Sequence, residues 1–204
     1  MPHLMFAGEK VSPVRTNDDH WQEDWGFKFD ARRALATGHK QDAKFAPKRG
    51  TCNVDLNALP PLLPLPYWLC TNEIRDLIES FEPGKQVFLP YEIHMEGNPS
   101  ETVIYNLINF CEPERSLDVE RCDPDALKSA NRVSPDGYDV YTLKTLNILN
   151  KKSKIFFNEC SLNTRHIWND VYTQDYSNLF ISDEFYNEFN KFIDEKYISI
   201  LRVG

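Results

Sequence analysis

Apolar side chains recur at helical spacing in two separate parts of this chain. In the first, Ile74, Leu77, Ile78 and Phe81 lie at positions i, i+3, i+4 and i+7 and therefore share one face of a helix. The Pro-Gly pair at positions 83–84 ends this helix. The stretch QVFLPYEIHM that follows contains β-branched and aromatic residues at a density that predicts a strand.

The second part lies at the end of the chain and repeats this order. Phe185, Phe189, Phe192 and Ile193 fall on one helical face, and the stretch YISILRV that follows predicts a last strand. An amphipathic helix cannot bury its apolar stripe alone. We therefore predict that both helices pack on one shared sheet, each followed by its own strand.

Both helices are preceded by the same start signal, a hydroxyl residue followed by Asn or Asp and then Glu. The two copies are Thr71-Asn72-Glu73 and Ser182-Asp183-Glu184. A Ser or Thr oxygen at this position accepts a hydrogen bond from a backbone N–H of the first turn. The sequence therefore predicts Thr71 and Ser182 as helix N-caps.

Further strands are predicted between the two helices. Residues 101–111 form a strand antiparallel to the preceding one across the turn EGNPS, and a polar interval follows. The stretches YDVYTLKTLNIL and KIFFNEC predict a strand pair across NKKS. Between Leu162 and Tyr176 we expect an irregular segment or a short helix that carries Trp168.

The first 66 residues are rich in glycine, proline and charge and contain only short strand-like pieces, WGFKF and TCNVDL. The proline-rich ALPPLLPLP predicts an extended connector. We predict an α+β fold: a mostly antiparallel β-sheet with two helix-turn-strand units packed on it. Residues 1–66 form a loop-rich β N-terminal section and residues 67–204 an α+β domain, and one continuous domain is also compatible with the pattern.

Composition and charge exclude several classes of function. The chain has 41% hydrophobic residues, enough for an ordinary core, and a formal net charge of -8. Its basic residues are dispersed, which argues against a nucleic-acid partner and favours a basic protein partner. The longest apolar run, LPPLLPLPYWL, is interrupted by prolines, and the N-terminus lacks a secretory signal pattern. We therefore expect no membrane partner and a cytoplasmic location.

The cysteines give little support to catalysis. The chain has five, without a C-x-x-C pair, which indicates buried thiols rather than disulfides or a zinc site. One possible thiol, base and orienting group is Cys160 with His166 and Asp170, but the spacing matches no protease pattern. Motifs for phosphate or cofactor binding are missing from the sequence. We therefore expect no catalytic residues, no cofactor and no metal.

An acidic and aromatic stretch, NDDHWQEDW, lies near the N-terminus. It lacks the spacing of a calcium loop, so a solvated loop or a partner-binding patch fits it better than a metal site. Tryptophans supply apolar contact area and carboxylates attract a basic partner. The predicted partner-binding residues are Asp18, Asp19, Trp21, Glu23, Asp24 and Trp25.

The order of these phrases resembles the bacterial polymorphic-toxin immunity protein family eleven. The phrases that follow the family's order are CTNEIRDLIESFEPGKQVFLPYEI, then SLDVE, KIFF and LFISDEFYNEFNKFIDEKYISILRV. Leu89-Pro90 and Ile181-Ser182-Asp183 match its two framework phrases, and Thr71 stands where the family usually has Ser. The resemblance spans Cys70 to Gly204.

The resemblance implies a cytoplasmic protein that binds and neutralises a cognate secreted or contact-delivered toxin encoded beside it. Two alternatives remain open from the sequence: a small enzyme that reverses a toxin-made modification, and an adaptor or structural protein of a secretion system. The sequence leaves the oligomeric state and the activity of the toxin open as well.

Overall fold

The computed structural model of the 204-residue chain describes residues 2–7, 12–16, 46–65, 67–111, 113–134, 137–150, 153–158, 165–173, 178–193 and 197–203. Within these ranges the chain forms twelve strands and three α-helices. The strands are β1 (His3–Ala7), β2 (Val14–Thr16), β3 (Arg49–Cys52), β4 (Leu62–Pro64), β5 (Trp68–Cys70), β6 (Val87–Met95), β7 (Asn98–Asn109), β8 (Leu127–Val133), β9 (Asp139–Leu143), β10 (Ile167–Trp168), β11 (Asn178–Ile181) and β12 (Ile198–Arg202). The helices are α1 (Asn72–Phe81), α2 (Thr145–Leu149) and α3 (Asp183–Phe189), with 3-10 turns at Leu56–Ala58 and Asn190–Phe192.

The strands form three sheets. A four-stranded antiparallel sheet has the order β10-β11-β1-β12, so that β1 from the start of the chain lies between two strands from its end. A six-stranded sheet has the order β2-β3-β6-β7-β5-β4, and in it only the β3–β6 pair is parallel among the described strands. Strands β8 and β9 form a separate hairpin. The predicted α+β class with mostly antiparallel strands is confirmed.

A first apolar core is shared by the two larger sheets and by helices α1 and α3. Ile74 and Ile78 of α1 and Phe185 and Phe189 of α3 are buried in it, together with residues of both sheets. The Phe81 and Phe185 rings meet edge to face with centroids 5.3 Å apart, a favourable geometry for aromatic pairs. The strands that follow the two helices, β6 and β12, belong to different sheets. A shared core, rather than one shared sheet, therefore joins the helices.

The four-stranded sheet is covered on both faces, which explains its continuous apolar runs. Successive side chains of a strand point to opposite faces. On β1, Met5 lies in the first core, whereas Leu4 and Phe6 lie in another core with Trp168 and Phe180. The β8–β9 hairpin and α2 cover that second face. Strands buried on both faces show no apolar-polar alternation.

Strand β6 lies inside the six-stranded sheet although it contains Pro90. The Glu92 N–H donates to the Lys48 carbonyl at 2.8 Å, so this edge of β6 faces β3. Pro90 lies two residues earlier and its nitrogen faces the same edge, but β3 first pairs with β6 at Glu92. The missing N–H of Pro90 therefore removes no hydrogen bond from the β6–β7 ladder.

The two predicted helix caps differ. The Ser182 hydroxyl accepts a hydrogen bond from the Phe185 N–H at 3.1 Å, as predicted. Thr71 occupies the N-cap position of α1, but its side chain makes no capping hydrogen bond. The Thr71 hydroxyl is buried without a hydrogen-bond partner in the described structure. The start signal therefore located both helices but only one capping hydrogen bond.

Two of the strands predicted between the helices differ from the structure: YDVYTLKTLNIL is a strand only over Asp139–Leu143, and KIFFNEC forms none among the described residues. Residues 145–149 form α2, because β8 begins at Leu127, opposite Leu143, and offers no partner beyond it. Residues 154–158 contribute only an isolated bridge from Phe157 to Leu117 among the described residues. The interval predicted as polar contains β8, and Trp168 lies in the short strand β10. Short apolar runs do not distinguish helix from strand, so tertiary pairing decided these elements.

Candidate partner-binding cleft

A cleft with a volume of about 470 Å³ opens beside the β8–β9 hairpin. One wall is the turn at residues 117–120, and the other is formed by residues 137–141. Tyrosine rings and carboxylates dominate its lining. The lining residues that carry polar or aromatic side chains are Asp118, Glu120, Asp139, Asn158, Tyr138, Tyr141 and Tyr172.

The first wall is held by the buried carboxylate of Asp170. One of its oxygens, Oδ2, accepts hydrogen bonds from the backbone N–H groups of Ser116 and Leu117, each at 2.8 Å, and from the Ser116 hydroxyl at 2.7 Å. The Trp168 indole N–H in turn donates to the Ser116 oxygen at 2.9 Å. Asp170 therefore determines where the turn at 117–120 begins.

The same carboxylate also holds the second wall, through a chain of two hydrogen bonds. The other oxygen of Asp170, Oδ1, accepts from the Tyr172 N–H at 2.8 Å. The Tyr172 carbonyl then accepts from the Tyr141 N–H at 2.7 Å. The rings of Tyr138 and Tyr172 meet edge to face with centroids 5.9 Å apart. One buried side chain thus connects both sides of the cleft.

Asp170 is almost fully buried, with 1% of its surface exposed. Burial raises the pKa of its carboxyl, since the charged form loses its hydration, while the four hydrogen bonds from Ser116, Leu117 and Tyr172 oppose that rise. The saturated hydrogen bonding makes Asp170 a structural group that positions the cleft.

The rim of the cleft carries an excess of negative charge among the described residues, three carboxylates against the two arginines beside them. Asp118 lies 3.7 Å from the guanidinium of Arg121, so its charge is partly neutralised. The carboxylates of Glu120 and Asp139 have no ion pair or side-chain hydrogen bond with any described residue. The guanidinium carbon of Arg115 lies 4.2 Å from the centre of the Tyr138 ring, a cation–π contact.

A comparison with protein families identifies the family of this chain. The model of the immunity protein family (Imm11) matches residues 10–196. The chain belongs to the immunity protein family Imm11. A search of curated proteins finds no match. Family membership implies that the protein binds a cognate toxin and neutralises it.

The match confirms the family that the sequence resembles and extends its range. The resemblance begins at Cys70, whereas the Imm11 match begins at residue 10 and ends at residue 196. Every residue that lines the cleft falls inside the matched range. None of the helices described for this Imm11 protein is long and apolar enough to span a membrane.

The predicted partner-binding residues of the Imm11 protein lie outside the described residues. These are Asp18, Asp19, Trp21, Glu23, Asp24 and Trp25. The structure therefore gives no test of that prediction.

The possible catalytic group is only partly described, because Cys160 also lies outside the described ranges. His166 and Asp170 have separate partners: His166 Nδ1 lies 2.9 Å from the Ser182 hydroxyl, whereas Asp170 binds the cleft walls. Within the described ranges, no group of three His, Cys, Asp or Glu side chains is placed to hold a metal ion. Burial raises the pKa of the Cys52, Cys70 and Cys122 thiols.

The cleft is not predicted by any pattern in the sequence. One wall lies in the phrase SLDVE, for which the pattern predicts no helix or strand, and the other lies at the start of the predicted strand YDVYTLKTLNIL. The signal present in the sequence is the run PDGYDVY, which places two tyrosines and an aspartate just after a turn. Its relation to residues 117–120 depends on Asp170, which lies 29 positions after Tyr141 and 50 positions after Glu120 in the chain.

Proposed function

We propose that this protein neutralises its toxin by stoichiometric binding in the cytoplasm of the producing cell. In this proposal the protein covers the active site of the toxin or another essential surface and does no chemistry of its own. The observation that carries the proposal is the Imm11 match over residues 10–196. The net charge of -8 supports a toxin with a basic surface, because opposite charges speed encounter.

Co-expression with the toxin domain encoded beside this gene tests the proposal. We expect the two chains to purify together with a fixed stoichiometry, and cells to survive expression of the toxin only when this protein is present. A soluble, folded protein that protects cells without forming a complex would contradict stoichiometric binding. A protein that neither binds the toxin nor protects cells would contradict the role altogether.

We further propose that residues 18–25 contribute to the toxin-binding surface. Their carboxylates, Asp18, Asp19, Glu23 and Asp24, surround the two tryptophans Trp21 and Trp25 in the sequence. Such a combination supplies both long-range attraction and buried contact area in protein interfaces.

A further inference from the structure

We propose that the cleft between residues 117–120 and 137–141 receives an arginine side chain of the cognate toxin. This inference rests on the proposed function and names the chemistry by which the protein recognises its partner. Three features of the cleft carry it: the charge of its rim, its tyrosine walls and its prebuilt shape.

Charge is the first feature. Three of the described side chains that line the cleft are carboxylates and none is a lysine or arginine, although Arg115 and Arg121 contact lining residues from outside it. Arg121 partly neutralises Asp118, whereas Glu120 and Asp139 keep unpaired charges in the described structure. A bound cation would pair with these two carboxylates, and a guanidinium can donate several hydrogen bonds to carboxylates in fixed geometry.

The tyrosine walls are the second feature. The guanidinium carbon of Arg115 lies 4.2 Å from the centre of the Tyr138 ring, so this ring already contacts an arginine of the chain itself and a toxin arginine would meet the Tyr141 and Tyr172 rings. The hydroxyls of Tyr138, Tyr141 and Tyr172 have no hydrogen-bond partner among the described residues. Aromatic faces with nearby polar groups favour the planar, weakly hydrated guanidinium over the compact ammonium of lysine.

The prebuilt shape is the third feature. The volume of about 470 Å³ falls within the size of small-ligand pockets, which is about 300–1,000 Å³. Both walls are held by Asp170, whose side chain is buried and fully hydrogen-bonded. A cleft that is already formed costs little conformational entropy when a side chain enters it. An anchor residue in such a pocket is typical of binding hot spots.

Removal of the two unpaired charges tests the proposal with the intact toxin domain. We expect the double variant Glu120→Gln/Asp139→Asn to bind the toxin about tenfold more weakly or worse, mainly through faster dissociation. The matched control is Glu96→Gln/Asp125→Asn, which removes the same charge from two exposed positions outside the cleft. This control variant should bind nearly as the wild type does.

Equal weakening by both double variants would show that net charge acts at long range and would overturn the cleft proposal. Unchanged binding by the cleft variant would overturn it too, while leaving the proposed function intact. If the wild-type protein itself fails to bind the toxin, the proposed function fails instead. Circular dichroism and thermal unfolding would establish that each variant is folded.

A second experiment needs no toxin, so it tests the cleft proposal independently of the proposed function. Chemical shifts of the wild-type protein are recorded during titration with N-acetyl-arginine amide, with the lysine analogue and with the neutral citrulline analogue. We expect saturable shifts of the Gly137, Tyr141 and Tyr172 amides with the arginine compound, smaller ones with lysine and none with citrulline. Equal shifts with citrulline, or none at these amides with arginine, would overturn the proposal. A stronger response to lysine would assign the site to an ammonium and contradict the choice of arginine.

Discussion

Asp170 ties together parts of the chain that are far apart in sequence. Its carboxylate accepts hydrogen bonds from Ser116, Leu117 and Tyr172 while only 1% of its surface is exposed. A group in this position lowers the free energy of the fold only if its hydrogen bonds outweigh the loss of its hydration. The pH dependence of stability reports that balance directly.

We predict that Asp170 makes the fold less stable as pH rises from the acid range. Burial raises the pKa of Asp170 above its value in the unfolded chain, which is about 3.9. The folded protein then binds the proton more tightly than the unfolded one. The contribution of Asp170 to the free energy of unfolding is fully present below its pKa in the unfolded chain. It is lost as pH rises through its pKa in the folded protein, with a slope of at most about 1.4 kcal/mol per pH unit.

The measurement compares the free energy of unfolding of wild type and Asp170→Asn by urea titration at several pH values. Asparagine cannot ionise, so the difference between the two proteins isolates the titration of Asp170. That difference should shrink as pH rises above about 4. A difference that grows with pH would mean that the hydrogen bonds to the charged form prevail over burial.

The two helices α1 and α3 have the same sequence phrase before them but different energetics at their first turns. Ser182 accepts the Phe185 N–H and also lies 2.9 Å from His166 Nδ1. The Thr71 hydroxyl has no partner in the described structure although it is buried. A buried hydroxyl without a partner contributes no stabilisation and carries a desolvation cost.

These two positions form a matched pair of substitutions. We expect Ser182→Ala to lower the free energy of unfolding by about 1–2 kcal/mol, since it removes a cap and leaves a backbone N–H unpaired. Thr71→Val keeps the shape of the side chain and removes only the unpartnered hydroxyl, so it should leave stability unchanged or raise it. Chemical denaturation of both variants gives the comparison. A cost for Thr71→Val equal to that for Ser182→Ala would show that Thr71 caps α1 in solution.

The molecule as a whole is acidic and is a member of a toxin-binding family. Under the proposed function, its activity depends on the complementarity of its surface to the toxin and needs no reactive group. Burial raises the pKa of three of its thiols, which keeps them protonated and unreactive at neutral pH.

Protection of toxin-expressing cells should survive the changes Cys160→Ser and His166→Ala, and toxin binding in vitro should survive chelation. The expected result is wild-type survival of cells and wild-type affinity in the presence of EDTA. Solubility and thermal unfolding of each variant serve as controls. Loss of protection by a folded variant, with toxin binding retained, would point to catalysis.

Kinetics of toxin binding test the proposed role of residues 18–25. Removal of charge by Asp18→Asn, Asp19→Asn and Asp24→Asn together should lower the association rate and its dependence on salt. Trp21→Ala should instead raise the dissociation rate and cost about 2 kcal/mol or more if this indole is a hot spot. Binding at two ionic strengths separates the effects. Identical kinetics for wild type and both variants would place the interface elsewhere.

Sequence patterns located the elements that carry strong local signals. The apolar stripes of α1 and α3 and the long hairpin β6–β7 were predicted because helical and extended periodicities repeat over several turns or residues. Short apolar segments carry no such repeat, and the predictions for them were wrong. TLNIL forms a helix because β9 has no partner strand in the described structure beyond Leu143. KIFF lies outside the described sheets and forms one isolated bridge.

The sequence by itself determined the class of the fold, the positions of helices α1 and α3 and the acidic character of the protein, because each depends on local periodicity or on composition. The tertiary structure alone decided that the strands after those helices belong to different sheets. It also decided that β1, at the start of the chain, lies between β11 and β12 from its end. It also determined that the cleft forms. The two walls of the cleft meet only because one buried carboxylate, Asp170, binds backbone groups from both sides, and no local pattern records such a contact.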